Sequence, residues 1–395
     1  MTRRLLLTVS PGEIWAALVE DGAPVALRLA RTGGTPRAGD LYLGRVVALR
    51  PDLPAVLVDI GAERPGFLNG DDMPAGANPR EGQAVVVAVR KAARADKAAG
   101  LTMNLTAEDV AKALVPADAA PPLLLHRRET ALGDLLAALA APAPDEIVID
   151  DAEALAEARS WLKRREPDFA GALIHHRDEA PLFEAHGIAA IVETALAPRA
   201  AVPGGGAITI ELTQAAVLID VDGGGAGALA ANLAAAGEVA RQIRLRDLSG
   251  PMIVDFIGMK DRSHRDQVAA ILARILGDTD MNYLGWTRLG HFELVRRRRR
   301  PSLTEQLFEH RPDMPPARTA LTVALDALRR FERESRGAPG KRLGLAVHPE
   351  IAACLDGAAQ GARRALEARL GYIIAITAET RPRDNVAIAP ISRET

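Results

Sequence analysis

Two apolar runs that each end in an aspartate most constrain how this 395-residue chain can fold. Residues 216–219 lead into Asp220, and residues 252–254 lead into Asp255. The segment between them, Asn232 to Leu248, has the composition of a helix, so the order is strand, helix, strand. Such a unit joins parallel strands. We therefore expect Asp220 and Asp255 to lie side by side at one edge of a sheet.

Two neighbouring carboxylates indicate a site for a hard divalent cation. A ligand set made only of oxygen atoms favours Mg²⁺ or Mn²⁺ over zinc. The connecting helix carries Arg241, Arg244 and Arg246, and a basic helix beside the site suits a substrate that carries phosphates. The alternative for each aspartate is structural, because aspartate also caps helices and turns that follow a strand.

The composition is typical of a globular protein with two or three domains, since 48% of residues are hydrophobic and 25% are charged. A net charge of -2 excludes a uniformly basic surface, although residues 296–300 form a local arginine run. The single cysteine, Cys354, excludes an internal disulfide and indicates a reducing compartment. The chain start does not fit a signal peptide, and no run approaches the length needed to span a bilayer. We predict a cytoplasmic protein without membrane contact.

The remaining sequence divides into segments of different pattern. Dense short strands predict a small closed barrel, and the following runs form them: 41–49, 55–61, 65–68 and 83–89. A hairpin is predicted before the barrel, and a mixture of helices and short strands after it. Pro301 precedes a last segment that has alternating helices and strands.

Five runs, taken in order, resemble one known family. Residues 40–46 and 62–68 are similar to an S1 domain, and residues 220–222, 240–248 and 253–259 are similar to a catalytic segment. Together they resemble the ribonuclease E/G family of bacterial endoribonucleases over most of the first 305 residues.

The resemblance implies an α+β, multidomain fold. An S1 (OB-fold) β-barrel at 36–105 would be inserted in an RNase H-like subdomain made of residues 1–35 and a shortened remainder, 106–203. A DNase I-like catalytic α/β subdomain at 204–300 and a small C-terminal α/β subdomain at 301–395 would follow.

The resemblance also implies an activity, that of a Mg²⁺-dependent endoribonuclease in RNA processing or decay. In this family two strand-end aspartates bind one Mg²⁺, and a metal-activated water cleaves RNA to 5'-phosphate and 3'-hydroxyl ends. By position these are Asp220 and Asp255. Asp222 stands where the family often has asparagine, so it would orient the site or add a third acidic ligand. We expect Mg²⁺ as cofactor, with Mn²⁺ as a substitute.

Single-stranded RNA is the implied partner, because an S1 barrel offers faces for bases and cations for phosphates. Phe67, Lys97 and His264 match family positions, and the arginines belong to the basic helix and the arginine run. The expected RNA contacts are Phe67, Tyr42, Lys97, Arg241, Arg244, Arg246, His264, Arg296 and Arg298. The alternatives are barrel core for the two aromatic residues and solvated surface for the others.

The chain departs from the family pattern at several places. Gly258 replaces a second acid, and the loop at 223–228 is short and rich in glycine. No loop matches the 5'-monophosphate sensor, since 126–130 is basic but differs from it, so we expect cleavage that is indifferent to the 5' end. The family's zinc-binding cysteines are absent. We expect no zinc, and a homodimer would have to form without it.

Two other functions compete with a nuclease. One is a non-catalytic S1-domain RNA-binding protein derived from such a nuclease, which the retention of Asp220 and Asp255 disfavours. The other is an S1-bearing exonuclease of the polynucleotide phosphorylase type. That type needs a phosphate-binding core, which the sequence does not show.

Overall fold

The computed structural model describes residues 2–33, 36–50, 53–62, 64–93, 97–277, 280–309 and 316–391. The strands in chain order are β1 Arg3–Ser10, β2 Glu13–Glu20, β3 Ala23–Arg31, β4 Leu41–Arg50, β5 Ala55–Asp59, β6 Gly66–Asn69, β7 Ala84–Lys91, β8 Gly100–Thr102, β9 Leu123–His126, β10 Glu146–Ile149, β11 Ala172–His175, β12 Arg199–Ala201, β13 Ala207–Leu212, β14 Val217–Asp222, β15 Gly250–Asp255, β16 Met281–Trp286, β17 Phe292–Arg296, β18 Phe308–Glu309, β19 Ala317–Arg318, β20 Leu343–Val347, β21 Ala375–Ala378 and β22 Ala387–Pro390.

The helices lie between these strands. In chain order they are α1 Ala107–Lys112, α2 Ala131–Leu139, α3 Ala152–Arg165, α4 Leu182–Ala185, α5 Ile188–Leu196, α6 Ala228–Leu245, α7 Arg262–Leu276, α8 Leu303–Leu307, α9 Ala320–Gly337, α10 Pro349–Asp356 and α11 Gln360–Leu370, with a short 3₁₀ turn at Gly70–Asp72. Among the described residues, no helix combines the length and the apolar character needed to cross a bilayer.

The contacts divide the chain into two compact units. The first contains Met1–Ala30 and Leu135–Ala317, and the second contains Arg31–Asp134 and Arg318–Thr395. Each unit draws on two distant parts of the chain. This division does not test the predicted subdomain boundaries, which stay predictions.

The first unit contains two main sheets. One has the order β11-β10-β1-β2-β3, with β1 antiparallel to β2 and parallel to β10. The other has the order β12-β13-β14-β15-β17-β16, and only β14 and β15 form a parallel pair in it. Helices α6 and α7 pack on one face of the second sheet, where buried aliphatic side chains of β14 and β15 form the core.

The second unit contains a closed barrel. Strands β4, β5, β6, β8 and β7 close a ring through the β4–β5 pairing, and β9 adds to the outer edge of β4. A separate three-stranded sheet, β21-β20-β22, packs against α9, α10 and α11. The predicted α+β, multidomain class with a small closed barrel is therefore confirmed. The S1, RNase H-like and DNase I-like identities of the parts stay predictions.

The alternation of β14 explains why its aspartates face solvent. Val217, Ile219 and Val221 are buried in the core under α6, whereas Asp220 and Asp222 are exposed. Side chains alternate between the two faces of a strand, so the aspartates lie on the face that the helices leave open. The same alternation puts Asp255 on that open face.

Candidate active site

Asp220 and Asp255 are direct neighbours across the parallel pair of β14 and β15. Their Cα positions are register partners in the ladder, and adjacent strands lie about 4.8 Å apart. Both side chains are exposed, and Asp255 keeps 60% of its side-chain surface. This confirms the prediction that the strand-helix-strand unit brings the two carboxylates together at one sheet edge.

Asp222 lies two residues beyond Asp220 on the same face, but its carboxylate is already engaged. Arg199 Nη2 donates to Asp222 Oδ2 at 3.0 Å, and the Gly224 amide donates to Oδ1 at 3.1 Å. The Gly224 amide and then Arg199 lower the pKa of Asp222 below its usual value. Gly206, with φ of 85°, packs against the backbone here, where a Cβ would collide with the Asp222 carbonyl oxygen.

His291 lies next to Asp255, a neighbour that the sequence analysis missed. Its Nε2 is 3.7 Å from Asp255 Oδ1. The proximity comes from the antiparallel pairing of β15 with β17, a long-range register that sequence spacing does not reveal. Asp220, in contrast, has no hydrogen bond or ion pair to any side chain in the part of the chain that is described.

The carboxylates at this edge suit Mg²⁺ better than a metal whose ligands must all come from the protein. The described residues contain no group of three or more His, Cys, Asp or Glu side chains arranged to hold a metal ion. Mg²⁺ is usually bound by one or two carboxylates, with waters and substrate phosphates as the other ligands. Asp220 and Asp255 would provide such a pair, so the residues present are compatible with this cofactor.

The arginines of α6 are not beside the carboxylates, and this part of the prediction was wrong. Helix α6 begins at the carboxyl edge of β14 and runs back along the sheet, and Arg241 is 13 residues beyond Ala228. At 1.5 Å per residue, the basic end of the helix is about 20 Å from that edge. Arg241 pairs with Glu238 at 2.7 Å, and Arg244 pairs with Glu20 at 3.4 Å.

Arg246 is buried, which contradicts its predicted contact with RNA. Its residue surface is only 2% exposed, and burial lowers its pKa to about 10. Nε donates to Gln242 Oε1 at 2.6 Å and Nη1 donates to the Ala197 carbonyl at 2.8 Å. The guanidinium therefore ties the end of α6 to the segment before β12.

The arginine run at 296–300 also lies away from the carboxylate pair. Arg296 is the register partner of Gly250, at the start of β15, and it donates to Asp247 Oδ1 at 2.9 Å. An RNA contact by Arg296, away from the carboxylate pair, stays a prediction. Arg298 lies 3.3 Å from Glu305 and is partly exposed, so an RNA contact by Arg298 stays a prediction.

Comparison with known proteins decides the family. The family model described as Ribonuclease E/G family matches residues 77–299, which is more than half of the chain. The chain belongs to the ribonuclease E/G family. The predicted resemblance is confirmed.

Several ribonuclease E/G relatives match most of this chain. Ribonuclease E of Haemophilus influenzae is 27% identical, over 90% of this chain and 48% of its own length. Ribonuclease G of the same organism is 25% identical, over 83% of this chain and 87% of its own length. A chloroplastic ribonuclease E/G-like protein of Arabidopsis thaliana is 34% identical over 52% of this chain and 22% of its own length. The chain spans about half the length of the ribonuclease E relatives that it matches.

Three of the RNA contacts that were predicted on the family pattern lie on accessible or half-buried surface. Phe67 is half-buried on β6, opposite Leu57 of β5, and Lys97 is exposed. His264, on α7, borders a cavity of about 450 Å³ together with residues 227–230 and 258–261, which follow the two aspartate strands. These assignments stay predictions. Glu63, in the second S1-like run, lies outside the described residues.

Tyr42 is part of the barrel core, so its predicted contact with RNA was wrong. The residue is 4% exposed and packs with Val58, Leu68 and Val87 inside the barrel. Burial, followed by the nearby Asp40 carboxylate, raises the pKa of its phenol. The structure supports the alternative given for Tyr42, which is a place in the barrel core.

Proposed function

We propose that this protein is a Mg²⁺-dependent endoribonuclease that cleaves single-stranded RNA to 5'-phosphate and 3'-hydroxyl ends, in RNA processing or decay. The observation that carries the proposal is the register pair of Asp220 and Asp255 on the open face of a sheet. The names of the relatives, ribonuclease E and ribonuclease G, support the same reaction class.

The two carboxylates would hold the cation between them. A bound Mg²⁺ supplies Lewis acidity toward a phosphate oxygen and lowers the pKa of its water. The exposure of both aspartates leaves room for an RNA backbone to approach them. Asp222 has a different part, because its contacts with Arg199 and Gly224 fix the start of the loop after β14.

The barrel is proposed to bind the RNA strand as an S1 domain. Phe67 offers a partly exposed ring for stacking with a base, and Lys97 offers an exposed cation for a phosphate. Base-aromatic stacking combined with backbone cations suits single strands of many sequences. We extend the proposal to the remaining parts, an RNase H-like subdomain around β1 and a DNase I-like subdomain around β14.

A cleavage assay tests the proposal. Purified protein with Mg²⁺ is expected to cut a fluorescently labelled, unstructured RNA at internal sites, and EDTA is expected to stop the reaction. Asp220→Asn and Asp255→Asn should each reduce the rate more than about 100-fold, because even outer-shell partners of a metal contribute about 10- to 100-fold. Asp266→Asn is the matched control, since it removes an exposed carboxylate of α7 that pairs with Arg262 at 3.9 Å.

The outcomes separate the competing functions. RNA binding without any fragments, with either Mg²⁺ or Mn²⁺, would support a non-catalytic binding protein. Shortening from one end would support an exonuclease. Comparison of 5'-monophosphate and 5'-hydroxyl substrates then tests the missing sensor, for which we propose equal rates. A strong preference for the monophosphate would contradict that part of the proposal.

A further inference from the structure

Two strand residues and the residue just before a third strand form one row on the sheet. Asp220 and Asp255 are partners in the parallel pair, and the antiparallel ladder of β15 and β17 ends at the pair Val254 and Phe292. The next residues along that ladder are Asp255 and His291. Directly opposite residues of an antiparallel pair place their side chains next to each other. Asp255 thus stands between Asp220 on one side and His291 on the other.

An aromatic cluster fixes the backbone on both sides of this contact. Phe256 follows Asp255, Phe292 follows His291, and both rings pack against Trp286, with ring centroids 5.6 and 5.2 Å apart. Phe256 and Phe292 are buried in the core of the sheet. The positions of Asp255 and His291 are therefore set by packing on the covered face, although their own side chains lie at the solvent.

The turn before β17 holds His291 from the other direction. The Thr287 amide donates to the His291 carbonyl at 2.8 Å, and the His291 amide donates to Thr287 Oγ1 at 3.2 Å. The Gly290 amide closes the turn on the Thr287 carbonyl at 3.1 Å. These hydrogen bonds fix the backbone of His291. Only rotation about its side-chain bonds is then needed to bring the ring toward Asp255.

We propose that His291 is a positioning residue for the Asp255 carboxylate, in the reaction proposed above. His291 Nε2 is 3.7 Å from Asp255 Oδ1, just outside hydrogen-bond distance; after a small rotation of the ring its N–H would donate to Oδ1, which would leave Oδ2 for a cation. We do not assign His291 as a third ligand, because its backbone lies about two strand spacings, about 10 Å, from that of Asp220. The absence of any three-residue metal group among the described residues agrees with this assignment.

The physical reason for such a partner is the exposure of Asp255. A carboxylate that keeps 60% of its surface turns among rotamers, and holding it still for a metal costs side-chain entropy. A partner for Oδ1 of Asp255 restricts the carboxylate before the metal binds, and this reduces the entropy lost on binding. Outer-shell partners of this kind typically contribute about 10- to 100-fold in metal affinity or activity.

The test measures metal binding in the absence of RNA. Binding of Mn²⁺ is followed from the electron paramagnetic resonance signal of the free ion, with His291→Leu, His291→Gln and Leu289→Ala. His291→Leu removes the donor and is expected to weaken Mn²⁺ binding about 10- to 100-fold. His291→Gln keeps an N–H donor and should restore most of the affinity. Leu289→Ala, at a position 85% exposed on the same turn, should change nothing.

Each result decides a different point. Loss of Mn²⁺ binding in Asp220→Asn and Asp255→Asn, with unaltered binding in His291→Leu, would overturn the positioning role and leave the proposed nuclease site intact. The absence of any aspartate-dependent binding would overturn the proposed function itself. Equal loss in the leucine and glutamine variants would overturn positioning by a donated N–H.

A second variant covers the case in which His291→Leu does not fold. Thr287→Val removes the hydroxyl that holds the His291 amide but keeps the ring. It is expected to weaken Mn²⁺ binding by less than His291→Leu, with circular dichroism unchanged. Unaltered Mn²⁺ affinity in a folded Thr287→Val protein would contradict the role that we give to this turn.

Discussion

Arg199 lies 3.0 Å from Asp222 and neutralises one of the three aspartates on the open face of the six-stranded sheet. Asp220, Asp222 and Asp255 all point to this face, and within the described ranges Asp222 alone of these three has an arginine partner. Asp222 thus stabilises the loop after β14, whereas Asp220 and Asp255 have no arginine partner among the described residues. The engaged oxygen atoms of Asp222 are then poor candidates for metal ligands.

The first prediction concerns Asp222→Asn. Asparagine has one acceptor oxygen, so this variant keeps only one of the two hydrogen bonds that Arg199 Nη2 and the Gly224 amide donate to Asp222, and the ion pair that it loses is exposed and therefore weak. We expect cleavage activity to fall less than about fivefold, because an exposed ion pair contributes little and Asp220 and Asp255 are unchanged. The measurement is kcat/KM on the labelled RNA beside Asp220→Asn. A loss as large as that of Asp220→Asn would mean that Asp222 is a metal ligand.

The second prediction concerns Asp247, the centre of a buried cluster in the first unit. Three arginines converge on its carboxylate: Arg296 at 2.9 Å, Arg28 at 3.1 Å and Arg300 at 3.5 Å. Arg28 is buried deeply enough that its pKa falls to about 10. Asp247→Asn keeps a residue that tolerates the observed φ of 55°, but it leaves buried cations uncompensated.

Removal of one partner of a buried ion pair costs about 3–5 kcal/mol. We therefore expect Asp247→Asn to lower the free energy of unfolding of the first unit by that amount, as measured in urea. Asp266→Asn, with its exposed partner Arg262, should leave the urea midpoint nearly unchanged. An equally small effect of Asp247→Asn would show that water compensates the charges of the three arginines when the Asp247 carboxylate is removed.

The part of the site that depends on local sequence pattern and on chain direction was predictable from the sequence. Alternating burial in β14 and the strand-helix-strand order were sufficient to place Asp220 beside Asp255. The same reasoning, carried one step further, would have put Arg241 at the far edge, because a connecting helix runs back along the sheet. The burial of Arg246 was not predictable, since it depends on the Ala197 carbonyl, which lies 49 residues away.

Long-range register accounts for the other differences. His291 meets Asp255 only because β17 pairs with β15 in one register, and a shift by one residue would turn it to the other face. The two barrel aromatics show the same limit. Tyr42 and Phe67 both lie on strands, and the pattern alone did not determine which face of the barrel each occupies.

The third prediction separates these two aromatics. Phe67→Ala should weaken binding of a labelled single-stranded RNA by about 1–3 kcal/mol, the usual contribution of a base-stacking ring. The thermal unfolding of the barrel should change little, because Phe67 is only half-buried. Fluorescence anisotropy measures the first effect and circular dichroism the second. RNA affinity that is unaffected by Phe67→Ala would exclude stacking at this position.

Tyr42→Ala is the contrasting variant. Loss of a large core side chain costs about 3–5 kcal/mol, and Tyr42 is packed inside the barrel. We expect a clear decrease in unfolding temperature, and RNA affinity should be preserved under conditions in which the protein remains folded. If Tyr42→Ala weakened RNA binding without loss of stability, the ring would have to contact RNA after all.

The fourth prediction uses Cys354, the single cysteine of the chain, which lies on α10 of the second unit. Burial raises the pKa of its thiol, and the thiolate is the form that reacts with disulfide reagents. A raised pKa means a smaller thiolate fraction at any given pH below it.

Labelling of the folded protein should therefore be slower than labelling of the urea-unfolded chain at mildly alkaline pH. The folded-state rate should also keep increasing with pH beyond the point where that of the unfolded chain levels off. Because no other thiol contributes to the signal, rapid stoichiometric labelling of the folded protein at neutral pH would show that α10 leaves its thiol open to solvent.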